Sequence, residues 1–274
     1  MMRTPTPAMP TPRRRKPAAP ARPAAPRRAA ARVSLARALS KLGLCSRTEA
    51  LRWIAEGRVK VDGRLARDPA VRVDPDRTRI RVDGAPARAA ARVYLMMNKP
   101  RGVLTTREDP EGRPTVYGLM KDSGRPWAGP VGRLDRASEG LLLFSNDTRW
   151  ADALLDPERH VAKTYHVQVG GRPDAAALAR LRAGVREGGE RLAALEARLL
   201  RAGEKNAWLE IVLDEGRNRQ IRRMLDTLGY ETLRLVRVAI GPLALGGLAK
   251  GAVRALTSRE MDELARAAGI SRQR

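Results

Sequence analysis

The chain has little of what several kinds of functional site require. Of its 274 residues, one is cysteine and two are histidine, so an intrachain disulfide is excluded and a Cys/His zinc site has too few ligands. No apolar run approaches the roughly 20 residues that a membrane-spanning helix needs. A GxxxxGK[ST] phosphate loop and a GxGxxG fingerprint after a strand are also missing, which argues against NTP hydrolysis and dinucleotide binding. We therefore expect a cytoplasmic protein that binds no membrane.

Acidic residues are scarce relative to basic ones. The 30 Asp and Glu stand against 54 Lys and Arg, and the formal net charge is +24. Such an excess is typical of proteins that bind a polyanion, and nucleic acid is the first candidate. Residues 1–31 are rich in Arg, Pro and Ala and lack acidic residues, so we predict a disordered basic tail. The tail carries eight of the positive charges, and the remainder of the chain is therefore basic in its own right.

Residues 32–84 predict a small module of two helices and a small sheet. Apolar residues at helical spacing begin at Leu35, and Gly43 ends this pattern. Ser46 and Glu49 have the spacing of a capping box, in which each side chain accepts from the main chain of the other residue. Short alternating segments then precede Asp-Gly turns at 62–63 and 83–84.

This module resembles the S4 domain, a small RNA-binding domain first described in a ribosomal small-subunit protein. The resemblance is carried by LARALSKLGLCSRTEA (35–50) and EGRVKVDG (56–63). Basic residues on the polar faces of its helices and strands are the candidates for phosphate contacts, since such contacts dominate affinity for RNA without needing sequence-specific geometry. These candidates are Arg37, Lys41, Arg47, Arg58 and Lys60.

After a predicted linker at 85–92, a larger domain is expected to span 93–265. Its helices and strands do not alternate strictly, which favours an α+β fold with a mixed, largely antiparallel sheet over a doubly wound parallel fold. The predicted strands include 93–97, 141–145, 164–169 and 208–213, and the predicted helices lie near 150–155, 174–185, 219–228 and 258–268.

One carboxylate of this domain stands out. Asp135 lies between Arg133 and Arg136, in a charged loop that leads directly into the apolar segment 141–144. A metal-dependent nuclease would need several converging carboxylates, and the neighbouring arginines would compete with a cation for the charge of Asp135. A reaction on nucleic acid that uses a single carboxylate fits the sequence better.

Five segments in order resemble the motif series of the RsuA/RluB-type pseudouridine synthases. They are NKPRGVLTT (98–106), DPEGRPTV (109–116), GRLDRASEGLLLFSND (132–147), KTYHV (163–167) and EGRNRQIRRM (215–224). The resemblance implies isomerisation of a specific uridine in ribosomal RNA to pseudouridine, with no cofactor and no metal. It also implies that Asp135 is the catalytic carboxylate, acting either as a nucleophile on C1′ of the ribose or as a base at C2′.

The same resemblance assigns supporting roles. Tyr165 would pack against the target base, the alternative being an ordinary core tyrosine, and Ile221 would line the pocket. Arg222 would pair with Asp135 and keep it ionised. Arg133 would position the loop, help to flip the nucleotide or hold a phosphate. Further phosphate contacts are expected from Arg136, Arg217, Arg219 and Arg223, whereas Lys99 is expected to be structural or RNA-facing and His166 structural.

The DPEGRPTV segment looks closer to family members that modify large-subunit RNA. We therefore prefer 23S rRNA, free or in a ribosome assembly intermediate, as the partner of a monomeric enzyme, with 16S rRNA as the alternative. A non-catalytic ribosome-associated RNA-binding factor that kept the fold is the alternative from another class, although loss of Asp135 or Tyr165 would be its signature and both are present.

Overall fold

The computed structural model describes residues 32–75, 77–120 and 126–270, and the predicted tail at 1–31 lies outside them. The first part contains two helices and six short strands. These elements are β1 (Val33–Ser34), α1 (Leu35–Lys41), α2 (Arg47–Ala55), β2 (Val59–Val61), β3 (Arg64–Leu65), β4 (Arg72–Val73), β5 (Ile80–Val82) and β6 (Ala85–Pro86).

The strands of this part form two antiparallel sheets. One pairs β1 with β4, and the other has the order β3-β2-β5-β6. Both predicted Asp-Gly turns are present, and Asp62 and Asp83 adopt the positive φ that such turns require. Strand β6 continues the second hairpin by two residues into the segment predicted as a linker.

The larger part contains the remaining strands and helices. They are β7 (Tyr94–Lys99), β8 (Gly129–Val131), β9 (Glu139–Ser145), α3 (Thr148–Leu155), β10 (Lys163–Gly170), α4 (Ala175–Ala183), β11 (Val185–Glu187), β12 (Glu190–Leu192), β13 (Glu196–Ala202), β14 (Asn206–Leu213), α5 (Gln220–Thr227), β15 (Thr232–Ile240), β16 (Leu243–Ala244), β17 (Val253–Ala255) and α6 (Ser258–Ala267).

A nine-stranded sheet organises this part. Its main order is β13-β14-β10-β15-β9-β7-β17, with β16 added to β15 and β8 added to β9. Every pairing is antiparallel except that of β15 with β9. The predicted α+β class with a mixed, largely antiparallel sheet is confirmed. Among the described residues, no helix is both long and apolar enough to cross a bilayer.

Strand β9 is buried on both faces, which explains its unbroken apolar run. Leu141 and Leu143 enter one hydrophobic cluster, while Leu142 and Phe144 enter another on the opposite face. Because the strand is sandwiched in this way, its N-terminal end is fixed in position. The loop that carries Asp135 ends where this strand begins.

Gly140 allows the parallel strands β9 and β15 to approach each other closely. It lies opposite Arg237 of β15 and has a φ of +100°. A Cβ atom at this position would lie 2.2 Å from the carbonyl oxygen of Arg237. Glycine is therefore required both for the backbone conformation and for the contact, and it brings β15 against the strand that follows the Asp135 loop.

Candidate active site

Loop 132–138 connects β8 to β9 and places Asp135 beside a cavity. The cavity has a volume of about 660 Å³, within the range of pockets that bind small molecules. Its wall is built by this loop, by β10 and β15, and by the segment that leads into α5. The Asp135 side chain is 43% exposed, so a ligand in the cavity has access to the carboxylate.

Most predicted site residues of the larger part meet at this cavity. The predicted residues in its wall are Arg133, Asp135, Tyr165, Arg217, Arg219, Ile221 and Arg222. They come from three separate motifs that the sheet topology brings together. Arg136 is exposed on the same loop as Asp135, and Arg223 lies outside the wall.

The main chain of the Asp135 loop is held by Lys99. This lysine is fully buried, and its Nζ donates hydrogen bonds to the carbonyl oxygens of Asp135 at 3.1 Å and of Ser138 at 2.8 Å. Burial lowers the pKa of Lys99 to about 8, although the negative charges of Asp135 and Glu139 oppose this change. Of the two roles expected for Lys99, the structural one is confirmed by its burial.

Two further residues of the first motif fasten the same loop. The amide of Gly102 donates to the carbonyl oxygen of Arg136 at 2.7 Å, and the hydroxyl of Thr105 donates to that of Leu134 at 2.7 Å. The amide of Leu134 in turn donates to the Thr105 hydroxyl oxygen at 3.3 Å. The segment 98–106 thus fixes the backbone of the loop, while the Asp135 side chain stays exposed.

The arginine nearest to Asp135 is a different one from that expected. Arg219 Nη1 lies 3.7 Å from Asp135 Oδ2, whereas Arg222 donates to the carbonyl oxygens of Ala137 at 3.4 Å and Thr232 at 3.3 Å. Burial is the main cause that lowers the pKa of Arg222, followed by the charge of Arg219, and the charge of Asp135 opposes both. The expected arginine fork is therefore corrected: in this structure Arg222 supports the loop through main-chain contacts, because α5 places its guanidinium beneath Ala137.

Tyr165 and Ile221 form the apolar part of the wall. Tyr165 is half-buried and packs against two hydrophobic clusters, on a strand where Val167 and Val169 share its face. Ile221 is buried in the first turn of α5. The wall therefore offers a planar ring and an aliphatic side chain, which suits contact with a flat base.

Comparison with known proteins agrees with this geometry. The family model described as RNA pseudouridylate synthase matches residues 93–227, and the S4 domain model matches residues 33–78. A protein of Aquifex aeolicus (strain VF5) named as an uncharacterized RNA pseudouridine synthase is 37% identical over 239 residues, covering 87% of this chain and 96% of that protein. The chain belongs to the RNA pseudouridine synthase family.

Other relatives have the same character. The ribosomal large subunit pseudouridine synthase B of Bacillus subtilis (strain 168) is 35% identical over 232 residues, covering 84% of this chain and 94% of that protein. A crystal structure of a pseudouridylate synthase superposes with a TM-score of 0.61 at 26% identity, covering 85% of this chain and 99% of that chain. The match of the S4 domain model shows that the N-terminal part of this RNA pseudouridine synthase is an S4 domain.

Two arginines of the last motif have acidic partners within the synthase. Arg223 is bound by Glu187 and, at 2.7 Å, by Glu190, and it joins α5 to the hairpin of β11 and β12. Arg217 pairs with Glu215 at 2.8 Å and lies 3.6 Å from Glu190. The phosphate role of Arg223 stays a prediction, although its guanidinium pairs with two carboxylates and lies outside the cavity wall. Arg217 shares this network but also lines the cavity.

The predicted basic surface of the S4 domain is largely free. Arg37, Lys41, Arg47 and Lys60 are exposed, and none has a salt bridge to a carboxylate in the part of the chain that the structure describes. Arg58 differs, since it binds Asp83 at 2.6 Å and Glu56 at 3.3 Å and lies over the ring of Trp53. The RNA contact of Arg58 stays a prediction, and in this structure its guanidinium also holds the end of a hairpin.

The S4 domain and the synthase domain are joined by specific contacts. Ser46 caps α2 by accepting from the amide of Glu49 at 3.0 Å. The predicted capping box is only half formed, because the Glu49 carboxylate binds Arg107 of the synthase domain instead of the Ser46 amide. Asn146 completes the junction by bonding the main chain on both sides of Arg92 at 2.8 Å.

Sequence reasoning missed several residues that shape the site. Thr105 fastens the Asp135 loop, and Gly140 allows the close pairing of β9 with β15. Lys163 and Arg237 line the cavity and are buried, yet neither was given a role. Lys163 stood inside a recognised motif and could have been found there, whereas Arg237 lies outside every segment that carried the resemblance.

Proposed function

We propose that this enzyme isomerises a specific uridine of ribosomal RNA and that the target lies in the 23S RNA of the large subunit. The name of the Bacillus subtilis relative supports a large-subunit target, and the S4 domain supplies a surface for RNA phosphates. The same reaction on 16S rRNA is the alternative. It is favoured by no particular contact in the structure.

The observation that carries the proposal is the placement of Asp135. Its carboxylate is exposed to a cavity of about 660 Å³, its backbone is fixed by Lys99, and an aromatic ring lies in the same wall. A reaction at ribose needs one correctly held carboxylate, and holding the reacting group in place lowers the barrier by removing entropic cost. Asp135 is thus proposed as the catalytic carboxylate.

The target nucleotide would have to leave its stack to reach Asp135. In such flipping the base enters a pocket and is held by stacking, which contributes about 1–3 kcal/mol per base. Tyr165 supplies the ring, and Ile221 the aliphatic contact. Asp135 then either attacks C1′ or removes the C2′ proton, and both routes break the bond between N1 and C1′.

The arginines around the cavity mouth would position the RNA backbone. Arg133 and Arg136 are exposed on the Asp135 loop, and Arg219 is near the carboxylate itself. Their charges would attract the phosphates of the RNA backbone. Exposed cations of the S4 domain, namely Arg37, Lys41, Arg47 and Lys60, would supply further phosphate contacts.

The proposal is tested by mapping pseudouridine in both ribosomal RNAs. Cells that lack the protein would be compared with cells complemented by the wild type or by Asp135→Asn. We expect one 23S site to disappear, to return with the wild type and to stay absent with Asp135→Asn. A site lost from 16S RNA would show that the small-subunit RNA is the substrate, and an unchanged map would overturn the proposed function.

A further inference from the structure

Two buried cations line the cavity, and the part of the wall that they form is called its floor. Lys163 of β10 is 8% exposed and Arg237 of β15 is 6% exposed, and both line the cavity. Lys163 lies two residues before Tyr165, and Arg237 is the cross-strand partner of Tyr165. Because residues at these positions share one face of a sheet, both cations accompany the ring that is proposed to hold the base.

Neither cation is neutralised by a carboxylate in the described part of the chain. Lys163 Nζ donates to the main-chain oxygen of Asp214 at 3.3 Å, and Arg237 Nε donates to that of Leu141 at 2.7 Å. Among the residues that the structure describes, none forms a hydrogen bond with the buried Nη2 of Arg237. Burial lowers the pKa of Lys163, as does the charge of Arg237, while Asp214 opposes the change.

Such an arrangement by itself lowers the stability of the folded chain. A buried charge is normally paired, and an unpaired donor in a low-dielectric site carries the full penalty of its lost hydration. By contrast, the nearby Glu139 carboxylate has both Arg234 at 2.7 Å and Lys250 at 2.9 Å. The two cations on the floor are therefore placed to receive negative charge from a ligand.

Because Lys163 and Arg237 are buried, only one part of a bound nucleotide is expected to contact them. Phosphates stay connected to the rest of the RNA chain and therefore remain near the surface. The exposed Arg133 and Arg219 are placed to bind them. With the ribose at Asp135, the base is the part that reaches the buried face around Tyr165. When the N1–C1′ bond breaks, its electron pair stays with N1, and the detached uracil carries one negative charge shared by N1, O2 and O4.

We propose that Lys163 and Arg237 stabilise the detached uracil anion by hydrogen bonds to its oxygens. This inference rests on the proposed function. It holds for both routes of Asp135, because attack at C1′ leaves a sugar ester plus this anion and removal of the C2′ proton leaves a glycal plus the same anion. C5 then bonds to C1′ as the ester is displaced or as C2′ regains its proton, and C5 loses a proton while N1 gains one.

The test uses the leaving group as the probe. The full-length wild type and Lys163→Met would be compared in single-turnover reactions on an RNA fragment whose target is uridine or 5-fluorouridine. Fluorine lowers the energy of the detached anion, so the fluorinated base needs less help. Removing a preorganised charge-stabilising donor costs about 10²–10³-fold, so we expect a ~100-fold slower cleavage of uridine and a clearly smaller loss with 5-fluorouridine.

The ratio of the two rates distinguishes chemistry from folding. Both substrates meet the same preparation, so a reduced fraction of folded protein slows both equally and leaves the ratio unchanged. Lys205→Met, the same substitution at an exposed position away from the cavity, should leave both rates near wild type. Arg237→Gln provides a second variant and should change the ratio in the same direction as Lys163→Met.

The results distinguish a failure of this inference from a failure of the proposed function. Equal slowing of both substrates, or weaker RNA binding with unchanged single-turnover rates, would overturn the role of Lys163 and Arg237. A wild type that cleaves no glycosidic bond in 23S or 16S fragments would instead overturn the proposed function. A larger effect on uridine than on 5-fluorouridine supports the inference.

Discussion

The fully buried ammonium group of Lys99 donates a hydrogen bond of 3.1 Å to the main-chain oxygen of Asp135. This bond connects the first sequence motif to the loop that carries the proposed catalytic carboxylate. It fixes the backbone without touching the carboxylate itself. The site therefore combines a rigid loop with a reactive group that stays accessible, which is the arrangement that positioning in catalysis requires.

The burial of Lys99 predicts an unusual pH dependence of stability. The pKa of Lys99 falls from 10.5 to about 8 on folding, so the unfolded chain binds more protons between these values and stability rises with pH there. The free-energy gap between wild type and Lys99→Met should shift in favour of the wild type by about 3 kcal/mol from pH 8 to pH 10.5. Chemical denaturation at several pH values measures this gap. A gap independent of pH would contradict the buried charge.

Gly140 is predicted to be indispensable for the parallel strand pair. Gly140→Ala places a Cβ atom against the carbonyl oxygen of Arg237 at a positive φ, and we expect the unfolding free energy to fall by roughly 3 kcal/mol or more. Gly112→Ala is the matched control, since Gly112 also has a positive φ but no atom of the described residues lies within 4 Å of the added Cβ. Equal losses for the two variants would show that the close approach of β15 is unimportant.

Substitutions of Arg219 and Arg222 are predicted to change different kinetic parameters. Arg222→Gln removes donors from the carbonyl oxygens of Ala137 and Thr232 and should lower kcat by about 100-fold, because the Asp135 loop loses its support. Arg219→Gln removes an exposed charge and should mainly raise KM, more strongly at low salt. Steady-state kinetics at two salt concentrations separate these effects. The reverse pattern would indicate that Arg222 binds RNA directly.

The basic surface of the S4 domain is predicted to set the salt dependence of RNA binding. Replacing Arg37, Lys41, Arg47 and Lys60 by Gln should reduce the slope of log K against log salt by about 0.7–0.9 for each phosphate that the variant no longer neutralises. Arg58→Gln should change the slope much less, because Asp83 already neutralises that charge. Filter binding of a ribosomal RNA fragment provides the measurement. An unchanged slope in the variant with all four substitutions would show that these S4 residues do not contact the RNA phosphates.

Local patterns predicted much of the fold. Helix α5 and strand β10 were expected within a few residues of their observed bounds, because their apolar periodicity is strong. The two Asp-Gly turns were also predicted, since few other residue pairs tolerate their backbone angles. These features depend on residues that are close in the chain.

Long-range contacts decided what could not be predicted. Arginine is rarely buried, so nothing local suggested that Arg237 lies in the cavity wall, and its position follows from the pairing of β15 with Gly140. Glu49 has the spacing of a capping residue, but a distant Arg107 competes for its carboxylate. The choice of Arg219 rather than Arg222 beside Asp135 likewise depends on how α5 packs on the loop.

The central claim is that Asp135 carries out the isomerisation of uridine in RNA. Its most direct test is the single-turnover formation of pseudouridine in a 23S rRNA fragment by purified wild type, Asp135→Asn and the control Asp226→Asn, which alters an exposed carboxylate of α5. We predict that Asp135→Asn binds the RNA but forms no detectable pseudouridine, while Asp226→Asn matches the wild type. Pseudouridine formation by Asp135→Asn at the wild-type rate would contradict this claim.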